Sequence, residues 1–443
     1  MADNGAVTQH DRMLLAELGT VGLKAYSGIV SEEYVRDLTG LHGVRTFGRM
    51  ANDDVVGALL FANEMLCRQA PWSVVPASED QRARDHAALL EGMLFRDMSQ
   101  SWTMFLSEAL SCQIYGWSYH EIVWKRRLGE SPPPGYVPDD LAWAWWAPSQ
   151  YDDGLLGFRK FPLRAQETLL RWDMDAGGGI RGMVQQDPLA RTLVTIPMSK
   201  ALLFRIFAHK GNPEGRSLLR SAYESWYYKK HIRRIEGIGI ERDLAGLFHA
   251  RIPVQYMLAD AAPGEKAIFD YIKKMGRSIH RDEQECLVTP LVYDDRNNEL
   301  FKFELMSTGG ARQFDTSAII HRYDTRILQT VLANVLMIGL MQVGTQALAE
   351  ELGALYTMGL TAILESIAEV INRHAIPRLW QLNALPRETM PSLRPGRIRQ
   401  VDFEKFTAGI LRLAQAGMIL YPQDEAHIRA EIGFPAPVDV EPA

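Results

Sequence analysis

Residues 211–242, GNPEGRSLLRSAYESWYYKKHIRRIEGIGIER, constrain this chain more than any other stretch. They read as one long helix. At about 100° per residue, Leu219, Tyr223, Trp226, Tyr227, Lys230, Arg233 and Arg234 fall on one broad face. That face is aromatic at its start and cationic at its end. Two readings follow. Either the helix docks by one end and leaves with its long side chains lying over apolar surface, or it crosses from a protein core toward a polyanion. After it comes a compact α/β module at 250–305, with RIPVQYML as a strand, GEKAIFDYIKKMG as a short helix, and CLVTPLVY and LFKFELM as further strands. STGGARQFDT connects onward, with Asp315 or Thr316 as the cap of a helix-rich block that runs nearly to 383. A small α/β module therefore lies between two long helices.

A mixed α+β body precedes this arrangement. Residues 1–50 are weakly patterned. Asn52 or Asp53 caps a helix carrying Val55, Leu59, Ala62, Met65 and Leu66. PWSVVPA reads as a strand, 80–97 as an amphipathic helix, and 101–116 as a third helix closed by Gly116. WSYHEIVWKRR (117–127) has strand composition. The β-rich region 130–208 offers strands at LAWAWWAPSQYD, GFRKF and KALLFRIFA, and a hairpin around Gly177–Gly179. A last helical unit is expected at 402–432, before an acidic, proline-rich tail.

The formal net charge of -6 argues against a dedicated sequence-reading nucleic-acid binder, which would carry a strong basic excess. Cys67, Cys112 and Cys286 are odd in number and far apart, so neither a disulfide framework nor structural zinc is expected. The opening residues lack a secretory signal pattern. The apolar run ILQTVLANVLMIGLMQVG (327–344) contains Gln329, Asn334 and Gln342 and reads as a buried or subunit-interface helix, not a membrane span.

Nothing in the chain asks for catalysis. GGGIRG (177–182) matches a dinucleotide fingerprint, but its flanks read as hairpin strands. APGEKA (262–267) lacks the first glycine and the hydroxyl of a P-loop. HEIVW (120–124) has Trp124 where a second histidine would be needed. On a strand, His120 and Glu121 would also point to opposite faces. The pairs Asp53–Asp54, Asp152–Asp153, Asp282–Glu283 and Asp294–Asp295 sit near turns or helix starts, where carboxylates cap backbone amides. No catalytic residue, metal site or cofactor is expected.

The whole pattern resembles the portal proteins of tailed bacteriophages, most closely the Mu-like branch. The resemblance covers about 50 to 435. It rests on NDDVVGALLFANEMLCRQAPWSVVPAS, GWSYHEIVWKRR, GNPEGRSLLRSAYESWYYKKHIRRI, FDTSAIIHRYDTRILQTVLANVLMIGLMQVGTQALAEE and ILESIAEVINRHAIPRLWQLN, in that order. It implies an α+β portal fold: a mixed α/β wing (1–215), a first stem helix (216–248), a small α/β clip (249–312) and a second stem helix (313–336). A tunnel loop (337–346), a long wing helix (347–383) and a short helical C-terminal crown segment (384–443) complete it. The family implies a ring, typically of twelve subunits, at one capsid vertex. Double-stranded DNA passes through it without sequence readout, and ATP hydrolysis belongs to a separate motor. Implied partners are further copies of the chain, the large terminase, the major capsid protein and a head-tail adaptor. The implied location is the virion, after assembly in the bacterial cytoplasm.

On this resemblance Lys229, Lys230, Arg233, Arg234, Gln342, Thr345 and Gln346 are candidates to line the channel. The basic four have an alternative role, pairing with acidic residues of neighbouring stems. Lys273, Lys274, Arg277 and Arg281 are candidates for the terminase-facing clip. Two rivals stand beside the portal reading: a metal-dependent nucleic-acid enzyme, and a capsid or tail protein without a channel.

Overall fold

The computed structural model describes residues 19–138, 140–175, 177–245, 247–279, 301–306, 315–331, 333, 346–398, 412 and 415. Two compact units emerge. The first combines Met1–Arg220 with Val331–Ala443, and the second is Ser221–Thr330, inserted between those two halves.

The first unit begins with a small hairpin, β1 (Ala25–Tyr26) and β2 (Ile29–Val30), then α1 (Gly40–Ala51) and α2 (Asp54–Gln69). The side chain of Asp53 accepts from the amides of Val55 and Val56 and fixes the start of α2. β3 (Trp72–Val75) leads to α3 (Gln81–Glu91), α4 (Trp102–Ala109) and the single turn α5 (Cys112–Tyr115). Gly116 closes that turn in the left-handed region at φ 89. The strands β4 (Trp117–Glu121), β5 (Val123–Arg126), β6 (Leu156–Lys160), β7 (Leu163–Arg164), β8 (Leu169–Met174), β9 (Ile180–Gln186), β10 (Leu193–Pro197) and β11 (Ala201–Arg205) follow.

They pair as two three-stranded antiparallel sheets, β11-β4-β7 and β10-β9-β8, and as a β5–β6 ribbon. Trp117, Tyr119, Trp172, Met183, Ile196 and Leu203 form a core between the first two sheets. On the other face of β4, Phe105, His120, Phe161 and Phe204 meet edge to face at 5.1–5.9 Å.

One ionic network is sealed inside this unit. Lys125 donates to the Asp97 carbonyl (2.5 Å), its carboxylate (3.0 Å) and the Pro148 carbonyl (2.7 Å). Arg127 lies 3.5 Å from Asp97 and 3.1 Å from Asp153 and covers the Tyr151 ring. Paired and bonded charges of this kind tolerate burial where a lone one would not.

Returning from the insertion, the chain forms one continuous helical stretch. Below, α9 denotes its first part, Gln346–Val370, and α10 its last, Ile376–Leu382; a π-turn at Ile371–Ala375 joins them. The π-turn sits where Pro377 removes an amide donor, which an unbroken helix would otherwise have to absorb. Buried Tyr356, Leu360, Leu364, Ile367 and Ile371 recur every three or four residues. Glu351–Leu382 has the length and apolar content of a membrane span, but this stripe is what a core helix requires.

Three side chains clamp the stretch to strands. Asn372 exchanges two 2.8 Å bonds with the backbone of Leu393 in β14 (Ser392–Pro395). Asn383 exchanges bonds of 2.8 and 2.9 Å with Leu156, and Arg378 donates to the carbonyls of Ala201 and Met198. β14 pairs antiparallel with β3.

In the second unit, three helices, Tyr223–Ala245 (α6), Pro263–Ile279 (α7) and Thr316–Gln329 (α8), accompany a ribbon of Leu247–Arg251 (β12) and Lys302–Met306 (β13). Numbering α6–α8 in chain order places them between α5 and α9.

Several local expectations shift. The long helix starts at Tyr223, not near 211–216. Lys210, Gly211 and Gly215 all take positive φ, and Leu218–Ala222 is a 3-10 turn. It ends at Ala245, and β12 (Leu247–Arg251) begins within the last residues of the expected helix range and ends where the expected strand starts. Pro253 cannot donate to a ladder, so 254–257 coil into a 3-10 turn instead of extending the strand. α8 ends at Gln329, short of 336. LAWAWW is a 3-10 turn whose tryptophans pack on one another and on Tyr136, not a strand. The 101–116 helix breaks after Ala109. The weakly patterned N-terminal stretch contains α1. The expected strand CLVTPLVY lies outside the described residues, as does the 402–432 unit apart from Arg412 and Gln415.

Candidate nucleic-acid interface

The chemically distinctive surface of the second unit is the helix pair α6 and α8. Contacts between described residues join them. Tyr228 stacks on Tyr323 at 6.4 Å, Lys229 Nζ lies 2.6 Å from Asp324 Oδ1, and the Thr316 hydroxyl donates to Glu236. Numbers rise along α6 as they fall along α8, so the helices run antiparallel. Lys229 and Glu236 are seven residues apart and share the face that meets α8.

This geometry corrects one expected channel residue. Lys229 is 1% exposed and holds Asp324 across the helix pair. It is an internal brace, because a lysine on the inter-helix face must either pair or lose its charge. Its acidic partner is Asp324 of its own chain, not an acid of a neighbouring stem as the alternative had it. The contact has the distance of an ion pair without the alignment of a hydrogen bond, so its strength is chiefly Coulombic.

Lys230, Arg233 and Arg234 are exposed, and helix geometry puts them about 100°, 40° and 140° around α6 from Lys229. Lys230 Nζ sits 5.1 Å from the buried Trp226 ring, its stem lying along the helix. Sequence reasoning missed a second cationic set. Arg322 and Arg326, one turn apart on α8, are exposed and flank Tyr323 at 5.6 and 6.0 Å. The signal was present as HRYDTR, two arginines at i and i+4 on a helix face. Ile235 and Ile238 on α6 are also exposed, at 68% and 41%.

Of the other candidates, Gln342, Thr345 and Arg281 lie outside the described residues, and Gln346 opens α9. Lys273 and Lys274 are exposed on α7, while Ile272 and Met275 on the same helix are buried. Arg277 falls within α7.

The motifs dismissed on sequence take structural roles. GGGIRG makes the β8–β9 turn, where Asp175 accepts from the amides of Gly177 and Gly179. In APGEKA, the Glu265 carboxylate caps the Ala262 amide at the start of α7. His120 is sealed in the core, bonded through Nδ1 to the Phe161 carbonyl, and burial lowers its pKa to about 4. Glu121 instead pairs with Arg164 and Lys200. Burial pushes the thiols of Cys67 and Cys112 up to about 12, so neither is a nucleophile at neutral pH. Among the described residues, no group of three His, Cys, Asp or Glu side chains is placed to hold a metal.

Comparison with known families matches residues 44–434 to the family described as portal protein of Mu bacteriophage. Solved structures that resemble the fold include two from GTA particle necks. One is a chain from the neck of an empty GTA particle computed with C6 symmetry, at a TM-score of 0.51 and 12% identity, covering 91% of this chain and 95% of that one. The other is from the neck of a native GTA particle computed with C12 symmetry, at a TM-score of 0.50 and 12% identity, covering 91% and 94%. No curated protein matches the sequence.

Proposed function

The chain belongs to the Mu bacteriophage portal family, and we propose that it assembles into a ring around a channel for double-stranded DNA at one capsid vertex. The observation that carries this reading is the inserted unit with its braced α6/α8 pair. That pair presents Lys230, Arg233, Arg234, Arg322 and Arg326 outward from a chain whose formal net charge is -6.

A conduit needs this balance. Neutralising many phosphates gives tight, strongly salt-dependent binding, which would stall a sliding duplex. In a ring each exposed cation is repeated once per subunit, so a few per chain suffice to make a positive girdle. In this reading α6 and α8 are the stem, and the β12–β13 ribbon with α7 is the clip. Lys273, Lys274, Arg277 and Arg281 then offer the terminase and later a head-tail adaptor a basic docking face. The role is structural, with energy supplied by the motor.

Mass photometry with negative-stain imaging tests the assembly. Twelve copies of the 50.0 kDa chain give a particle of about 0.6 MDa with an axial hole. A stable monomer with metal-dependent nuclease activity would overturn the portal reading.

A further inference from the structure

The first unit holds a cavity of about 240 Å³ between the 30–40 segment and the 207–220 loop. That is room for a side-chain-sized group, well beyond the space one water needs. Phe47, Tyr115, Tyr34 and Phe207 line it, together with three glutamates. Two of the acids are neutralised: Glu32 by Lys210 at 3.1 Å, and Glu33 by Arg220 through bonds of 2.6 and 2.8 Å.

Glu214 is different. Its Oε1 accepts from the Trp172 indole at 3.2 Å, and among the described residues no cation pairs with it. Burial raises its pKa, opposed by the indole bond. Arg216 lines the same cavity and is exposed, yet makes no ion pair with Glu214. The backbone packs tightly at this point. A Cβ on Gly215 would lie 2.4 Å from the Gly116 carbonyl, and Phe207 and Lys210 hold φ of 48 and 55.

We propose that this cavity binds an organic cation, an alkylammonium or guanidinium group, with Glu214 as its carboxylate partner and the aromatic side chains as its walls. A part-buried carboxylate without a counter-charge is costly, and a cation supplies what the site lacks. Aromatic faces favour the same sign of charge. A single unmatched carboxylate is too few oxygens for calcium or magnesium. An anion would meet Glu214, while the cavity's Lys210 and Arg220 are already engaged. The cation comes either from a free amine or from a lysine of another protein chain.

The full chain, titrated with methylguanidinium and with 1,4-diaminobutane by calorimetry at constant ionic strength, tests the site. Saturable binding is expected, weakened roughly ten- to a hundredfold by Glu214→Gln and unchanged by Glu130→Gln, an exposed control. Arg216→Gln removes a like charge and should tighten binding several-fold, which keeps the test alive if Glu214→Gln does not fold. Carbodiimide cross-linking with mass spectrometry separates the sources. A Glu214–lysine link between chains assigns a protein side chain, and saturable binding without a link assigns a free amine. Absence of both, binding indifferent to Glu214→Gln, or weaker binding in Arg216→Gln overturns the proposal.

Discussion

Replacing Asp324 by asparagine is the sharpest test of the brace between α6 and α8. It leaves the Lys229 ammonium, 1% exposed, without the carboxylate that lies 2.6 Å away. Removing one partner of a buried pair costs about 3–5 kcal/mol. Asp324 keeps 17% exposure, so water reaches one side of the pair and the lower figure, about 3 kcal/mol, applies. That is more than a hundredfold in the equilibrium for parting the helices. Lys229→Met should cost less, about 1 kcal/mol, because the aspartate it strands keeps some contact with water and can hydrate. Lys229→Met with Asp324→Leu should recover much of the loss, since an apolar pair replaces a desolvated ionic one. Hydrogen–deuterium exchange of peptides covering 223–245 and 316–329 reads these differences directly. The signature is the order of effects, Asp324→Asn worst and the double variant near wild type. If both single variants leave protection within about 0.5 kcal/mol of wild type, Lys229 is not a brace. If Lys229→Met alters DNA packaging at unchanged stability, its assignment returns to the channel.

Changing Lys230, Arg233 and Arg234 together to glutamine should leave ring mass unchanged and alter DNA packaging or retention in a packaging assay; loss of the rings would make these residues interface partners. His120 links stability to acid. Its folded pKa of about 4 lies below the ordinary 6.5, so the unfolded chain takes the proton first. Its contribution is therefore complete above pH 6.5 and declines toward pH 4, by about 3 kcal/mol. Urea midpoints from pH 7 to 4.5 should fall less for His120→Leu than for wild type, and equal slopes would refute the assignment. Asn383→Ala strips both bonds from the Leu156 backbone and should cost about 1–3 kcal/mol in thermal or urea unfolding, whereas Glu130→Gln should cost nothing measurable.

Features encoded within a few residues were legible in the sequence. Asp53 and Asp315 cap the helices expected of them, and the glycine run at 177–179 makes the expected hairpin turn. α1 escaped notice because its core face includes Gly43 and Thr46. Gly43 is required where a Cβ would lie 2.2 Å from the Leu38 carbonyl, a contact that no hydrophobic period reports. The helical wheel put Lys230, Arg233 and Arg234 on one broad face but could not say which face of α6 another helix would cover. Lys229, one residue away, therefore passed for a surface cation until Asp324 was placed opposite it. The Glu214 cavity was beyond reach for the same reason. It joins the 30–40 segment to the 207–220 loop, and no local pattern links them.

The insertion of the second unit has a consequence for how the protein is made. Among the described residues β3 finds its one sheet partner, β14, more than three hundred residues later. During synthesis Trp72–Val75 emerges as a bare edge, and it stays one while the whole of Ser221–Thr330 is translated and free to fold on its own. The first unit closes only when the last described strand arrives. A ribosome stalled anywhere between these points leaves a nascent chain with a finished insert and an unfinished host, the form of this protein most exposed to wrong pairing and to proteases.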